Sequence, residues 1–351
     1  MPRPDAPEPS GRRATLRDVA AAAGVHVSTA SRALARARSG QSPLTLSAAR
    51  VVEIATAQGY EPDPIASGLR TRRTHVLGVL VPRLTDLAVS TMYEGLDAAA
   101  AELGYQTFVG DTLDAPDERR RRAQALLARR VDGLILGDAR IDDDHLPELA
   151  RQGVPFVLMN RRRAPWDSVT CDDRLGGRMA GRHLAELGHR SIGVLAGQPY
   201  ASTGLDRTHG CLEALAEHGV HVPPEQVVPC EFSPQGGRDA MMTLMSRRDR
   251  PTAVFAVTDI VAIGAMGALR DLELTVGSDV AIIGFNDISL AKELVVPLSS
   301  VRSQLATMGS QAARMLVDRI GTGGAHSSTP HDVRLPPELV VRRSSDPSAT
   351  S

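Results

Sequence analysis

Thr15-Leu16-Arg17-Asp18-Val19-Ala20, followed by Ala23-Gly24-Val25-His26-Val27-Ser28-Thr29-Ala30-Ser31-Arg32, is the stretch that decides how this chain begins. Leu16, Val19, Ala20 and Ala23 recur at i, i+3, i+4 and i+7, the apolar stripe of a short helix, and Thr15 stands where its side chain can cap the first amides. Gly24 ends that helix. A second follows at once, roughly His26 to Leu34, with Val25, Ala30, Ala33 and Leu34 on the buried side. Two helices joined by a tight glycine turn form the unit that lays its second helix in a DNA major groove. Val27, Ser28, Ser31 and Arg32 share the outer face, by their spacing of four. Arg32 has two donors for a guanine edge, Ser28 can donate or accept, and Val27 can touch a thymine methyl. A third helix is expected from Leu46 to Gln58, capped by Thr45 and closed by Gly59, with Val51, Ile54 and Ala55 inward and Arg50 in reach of a phosphate.

Charge supports a nucleic-acid role for this end. Residues 1–75 carry a net +5 and the remainder −6, within a chain whose formal charge is only −1. At 351 residues, 42% hydrophobic and 23% charged, the protein is expected to hold two or three cores. No apolar run approaches a membrane span, and Met1 to Arg13 lack the apolar centre of a secretory signal, so a cytoplasmic protein is expected. Cys171, Cys211 and Cys230 are odd in number and far apart, which argues for small core residues and against a zinc site or a disulfide framework.

From His75 onward short apolar runs alternate with amphipathic stretches: Val76 to Val81, Met92 to Leu103, Gln106 to Gly110, Glu118 to Arg130, Gly133 to Leu136 and Pro155 to Met159. The alternation resumes with Ile192 to Ala196, Cys211 to His218, Ala253 to Val257, Ile260 to Leu272 and Val280 to Gly284. This is the pattern of parallel sheets covered on both faces, in which ligands bind beyond the carboxyl ends of the strands.

The opening motifs, together with Gly59-Tyr60-Glu61-Pro62-Asp63, closely resemble the head of LacI-type (LacI/GalR family) bacterial transcriptional regulators. Val131-Asp132-Gly133-Leu134-Ile135-Leu136, Leu187-Gly188-His189-Arg190-Ser191-Ile192, Ile283-Gly284-Phe285-Asn286-Asp287 and Pro297-Leu298-Ser299-Ser300-Val301 extend the resemblance over nearly the whole chain. It implies an all-α helix-turn-helix head on an α/β periplasmic-binding-protein-like body of two doubly wound parallel-sheet lobes. The expected division is a disordered tail over 1–13, a DNA-binding domain over 14–62, a hinge over 63–74, a body over 75–343 and a flexible tail over 344–351. Lobe one would comprise 75–171 and 303–331, and lobe two 172–302 and 332–343.

The resemblance implies that Val27, Ser28 and Arg32 read bases while Thr15, Leu16, His26 and Ser31 contact the backbone. By composition the hinge could be a flexible basic linker; by resemblance it becomes helical in the minor groove, with Leu69 wedging a base step and Ile65 and Ala66 meeting the partner hinge. Carried over by position, the effector-facing residues are Leu84, Thr85, Val89, Asn160, Arg207, Phe232, Thr258, Asn286 and Ser303. Such polar groups with one guanidinium suit hydroxyls or a carboxylate, so a sugar or sugar acid is expected. Leu87-Ala88-Val89, Thr258 and Ser303 depart from the family's usual residues, as do His26 and Ala48 in the head, and the loop Ala35 to Pro43 is about three residues longer than usual.

Other features are set aside. Arg119 to Arg122 reads as a solvated helix face, Asp142-Asp143-Asp144 as a helix start, and Gly176 to Gly181 is no dinucleotide fingerprint. No nucleophile, metal or cofactor constellation occurs, so the expectation is a homodimeric, non-enzymatic repressor that needs no cofactor. Its partners would be a roughly palindromic double-stranded operator and a sugar-like effector, with no membrane. A ligand-binding protein without operator function and, further off, an enzyme on a doubly wound scaffold are the alternatives.

Overall fold

Thr15 closes a reciprocal cap on α1 (Leu16–Ala23): its Oγ1 accepts from Asp18 N at 3.3 Å, and the Asp18 carboxylate accepts from Thr15 N at 2.8 Å. Gly24, at φ +65°, ends the helix in the left-handed conformation that favours glycine. The computed structural model describes residues 14–38, 42–43, 45–60, 73–323 and 330–349. The chain divides into two compact units between Thr74 and His75, here called head and body.

In the head, α2 (Val27–Arg38) runs four residues past the expected end at Leu34. Ala35-Arg36-Ala37-Arg38 are strong helix formers, so the first four residues of the stretch expected as a loop are helical instead. The third helix, α3 (Leu46–Ala57), is capped by Thr45, whose Oγ1 accepts from Ala48 N. Val19, Ala20, Ala23, Ala30, Ala33, Val51 and Ala55 make a core of mostly single-methyl side chains. A core so small is marginal by itself.

The body contains two six-stranded sheets. In the first lobe lie β1 (Val76–Val81), α4 (Leu87–Glu102), β2 (Gln106–Asp111), α5 (Pro116–Ala128), β3 (Gly133–Leu136), α6 (His145–Arg151), β4 (Phe156–Met159) and β5 (Ser168–Cys171). The second lobe holds α7 (Asp173–Glu186), β6 (Ile192–Ala196), α8 (Ser202–Glu217), β7 (Val227–Pro229), α9 (Pro234–Met245), β8 (Ala253–Ala256), α10 (Asp259–Asp271), β9 (Ala281–Asn286) and β10 (Ser299–Arg302). The chain then returns to add α11 (Leu305–Gly321) and β11 (Asp332–Leu335) to the first lobe and β12 (Glu338–Val340) to the second.

The strand orders are β11-β5-β4-β3-β1-β2 and β12-β10-β9-β8-β6-β7. Each core of the order 2-1-3-4-5 is parallel, and among the described residues only β12 pairs antiparallel, with β10. The strands are continuous apolar runs because helices cover both faces: β3, β4, β6, β8 and β9 are buried throughout.

Two expected boundaries are corrected. Residues 332–335 pair with β5 in the first lobe, so the last crossing lies at Pro336-Pro337, where neither residue has an amide to extend a ladder. Ser344 and Ser345, expected in a flexible tail, are buried: Ser344 Oγ donates to Ile282 O at 2.6 Å, and Ile282 N donates to Ser344 O at 2.7 Å. The Arg119 to Arg122 run is likewise not all solvated. Arg119 is buried and pairs with Asp143 at 2.8 Å, while Arg122 pairs with Glu118 at 2.7 Å.

The glycines of α7 and α8 have a packing role. A methyl group on Gly177 would stand 2.1 Å from Arg207 O, one on Gly181 2.5 Å from Cys211 O, and one on Gly210 2.0 Å from Arg174 O. Only hydrogens at these positions let α7 and α8 approach so closely, and that contact sets where Arg207 enters the cleft.

Candidate functional site

On the head, Ser28 and Arg32 are exposed on one face of α2, while Val27 and Ser31 are half-buried and Val27 packs on the head core. His26 precedes the helix and caps it: its Nδ1 accepts from Ser28 N at 3.3 Å and lies 2.8 Å from Ser28 Oγ. This explains how histidine serves where serine is usual. Arg32 Nε donates to Ser28 O at 3.3 Å, which holds this exposed side chain along its own helix through Nε rather than through a terminal nitrogen. Leu16 is half-buried against the head core; Thr15, His26 and Arg50 are exposed. The hinge residues Ile65, Ala66 and Leu69 lie outside the described residues.

In the body a cavity of about 370 Å³ opens at the carboxyl ends of the strands, lined by both lobes. Among the residues expected there, Val89, Asn160, Arg207, Phe232, Thr258 and Asn286 line it. Leu84, Thr85 and Ser303 do not, though each neighbours a residue that does or bonds to one. Ser303 Oγ donates to Asn286 Oδ1 at 3.3 Å and fixes that amide, while Leu84 N donates to Asp111 at 3.2 Å and Thr85 is exposed beside Asp86. Asn160 (φ +68°) and Asn286 (φ +108°) both hold left-handed backbone at strand ends, strain of the kind found where side chains are aimed at a ligand. Thr258 Oγ1 accepts from Val261 N as the cap of α10.

Arg207 is committed before any ligand arrives. Its Nε donates to Asp173 at 2.7 Å, its Nη1 to Val257 O at 2.8 Å, and its guanidinium lies 3.8 Å above the Phe285 ring. Burial pushes the Asp173 carboxyl up to about 6 against the pull of Arg207. A second guanidinium, missed in the sequence, faces the cavity from after β4: Arg161 pairs with Asp114 through two bonds of 2.6 and 2.8 Å. Burial works to raise the Asp114 carboxyl, but Arg161 and the Tyr200 hydroxyl hold it below its ordinary range. Burial, with Asp114 alongside, pushes the Tyr200 phenol up to about 12, so it remains a donor. Asp86 also lines the wall; its carboxylate accepts from Ala88 N at 2.9 Å at the start of α4, and burial raises it. The sequence did hold one signal for this wall, the Asn160-Arg161-Arg162-Arg163 run directly after an apolar strand.

The cavity therefore offers hydrogen-bonding groups of both kinds and two aromatic side chains, Phe232 and Tyr200, while its two deep guanidiniums, Arg161 and Arg207, each already carry a carboxylate. Among the described residues no group of three or more His, Cys, Asp or Glu could hold a metal, and no helix is long and apolar enough to cross a membrane.

Residues 182–345 match the family described as periplasmic binding protein-like domain. The chain is 31% identical over 336 residues to the HTH-type transcriptional repressor PurR of Serratia proteamaculans, which covers 94% of this chain and 96% of that protein. The transcriptional regulator CelR, solved as a cellobiose complex, is 30% identical with a TM-score of 0.72, over 95% of this chain and all of the other. A lac repressor dimer bound to operator and the anti-inducer ONPF shares the fold at a TM-score of 0.82 and 24% identity, over 95% of this chain and all of the other.

Proposed function

Since the chain belongs to the LacI family of transcriptional repressors, we propose that it is a homodimeric, sequence-specific repressor whose hold on a roughly palindromic operator is adjusted by a neutral, hydroxyl-rich molecule of the sugar class in the cleft. The observation that carries this reading is that the likeness to repressors runs through head and body together, over 94% of the chain, so the DNA-facing helix and the ligand cleft come as one device. Domain limits follow the same reading, with the head over 14–62, the hinge over 63–74 and the body from 75.

In the head, Arg32, Ser28 and Val27 read base edges; Thr15, Leu16, His26, Ser31 and Arg50 approach phosphates. Leu69, with Ile65 and Ala66, wedges the minor groove when two hinges lie together. In the cleft, Asn160, Arg207, Asn286 and Thr258 meet hydroxyls, Phe232 and Val89 meet the apolar ring face, and Ser303 steadies Asn286, with Leu84 and Thr85 at the entrance.

Neutrality is the refinement that the site supports. Arg207 is balanced by Asp173 and Arg161 by Asp114, while Asp86 adds a further carboxylate to the wall. An acidic or phosphorylated ligand would meet the Asp86 and Glu231 side of the wall with both deep guanidiniums already paired, and of the lining arginines only the exposed Arg83 left to receive it. The ligand acts by linkage: it changes DNA affinity only as far as it prefers one lobe angle, and DNA changes its affinity by the same factor.

The test is thermal shift of the full-length protein against neutral sugars such as cellobiose and ribose, sugar acids and sugar phosphates. Stabilisation by neutral members alone is expected. Stabilisation by acids alone, or by none, would overturn the ligand assignment.

A further inference from the structure

Three loops at the rim of the cleft are joined across the lobes by residues that the expected ligand set does not include. Asp114 follows β2 and Arg161 follows β4, both in the first lobe; Tyr200 follows β6 in the second. Tyr200 Oη donates to Asp114 Oδ2 at 3.0 Å, on the carboxylate that Arg161 grips with two bonds. The guanidinium of Arg140, from the first lobe, stacks 3.7 Å over the Tyr200 ring, and Ile141 N donates to Tyr200 O at 2.9 Å. Just outside, Arg162 N donates to Ser202 Oγ at 2.9 Å and Arg162 pairs with Asp206 at 2.7 Å. The turn that aims Asp114 is strained, with Leu113 at φ +53° and Asp114 at φ +57°, two successive left-handed residues that are not glycine.

We propose that Asp114, Arg161 and Tyr200 are positioning residues of the cleft: an interlobe clasp that sets the lobe angle at which an effector is held. The hydroxyl-to-carboxylate bond is charge-assisted and partly shielded from water, so it outweighs an ordinary surface contact. Opening the lobes on this side breaks that bond, the backbone bond from Ile141 and the Arg140 stack together, so the clasp yields as a unit. Its effect on ligand affinity rests on the reading of the cleft as the effector site; its effect on lobe angle does not.

The experiment therefore reads lobe angle with no sugar present. Spin labels on Gln124→Cys in the first lobe and Thr243→Cys in the second, both exposed positions, report the interlobe distance by pulsed dipolar spectroscopy. The labelled full chain is diluted into excess unlabelled chain so that distances within one protomer dominate. The native thiols do not compete, because Cys171, Cys211 and Cys230 are buried and burial pushes all three up.

Tyr200→Phe, which removes one oxygen, and Asp114→Asn, which removes the charge, are both expected to move the distribution to longer, broader distances. Arg174→Ala, which breaks a pair with Glu213 inside the second lobe, is expected to leave it in place. An unchanged distribution in folded Tyr200→Phe and Asp114→Asn, or an equal shift in Arg174→Ala, overturns the clasp. If the clasp variants open while no sugar binds the wild type, the clasp stands and the effector reading falls.

Discussion

Placing one methyl group between α7 and α8 tests whether the packing under Arg207 is as tight as described. In Gly177→Ala the new carbon would lie 2.1 Å from Arg207 O and 2.9 Å from its carbonyl carbon. Carbon-to-oxygen contacts settle near about 3.3 Å, so roughly 1 Å must be recovered by separating two helix backbones. Overpacking of this kind costs about 1–3 kcal/mol, and the better helix propensity of alanine returns about 1 kcal/mol of that. The two figures net to a loss of about 0–2 kcal/mol, and because the new methyl meets backbone that cannot swing aside the upper end is expected, several degrees in the melting of a unit this size. Gly267→Ala is the control, since the nearest atom to its added methyl is the flexible tip of Arg238 at 3.6 Å, and it is expected to gain about 0.5–1 kcal/mol. Chemical denaturation of the full-length variants measures both, and ligand titration should show weaker binding only for Gly177→Ala, because Arg207 moves with its helix. A Gly177→Ala protein as stable as the wild type, with unchanged ligand affinity, would refute the reasoning.

Arg32→Ala is expected to relax base preference at one position of each half-site by about 1–3 kcal/mol; an unaltered preference profile from selected duplexes would remove its assigned role. Thr15→Ala removes the hydroxyl that accepts from Asp18 N and donates to the Asp18 carboxylate, leaving only the backbone half of the capping box, and is expected to cost the head about 1 kcal/mol, read from amide exchange in α1, where protection equal to wild type would contradict it. Burial pushes the Asp259 carboxyl from its usual 3.8 up to about 7 in the folded body. The folded state thus binds this proton more tightly than the unfolded one, and the stability it brings in acid is lost as pH rises through about 7. Between pH 8 and 6 this group alone adds about 1.4 kcal/mol. Stability profiles of wild type and Asp259→Asn should diverge by that amount, and parallel profiles would show that Asp259 does not titrate there.

Much of this molecule is legible in the sequence because its signals are local. Thr15, Asp18 and Gly24 announce the start and end of one helix by chemistry within four residues, and the Val76 to Val81 run announces a strand buried on both faces. What escaped is non-local. Asp332 to Leu335 has only one fully buried side chain, and nothing near it says which sheet it joins. Ser344 and Ser345 look like tail residues until Ser299 and Ile282 supply partners some 45 and 62 positions away. Asp114, Arg161 and Tyr200 are 47 and 39 residues apart along the chain, and only the strand order brings them to one rim. Gly177 reads as a poor helix residue until Arg207 is seen against it.

The central claim is that one protein couples a groove-reading helix to a sugar-sized cleft. Its most direct test is the affinity of the full-length protein for a duplex selected from a random pool, measured by fluorescence anisotropy with and without a saturating neutral sugar chosen by thermal shift. The account predicts an affinity for that duplex well above random competitor, and a change with sugar that equals, as a ratio, the change that the duplex makes in sugar affinity. No preference for any duplex, or a duplex affinity indifferent to a sugar that demonstrably binds, would contradict it.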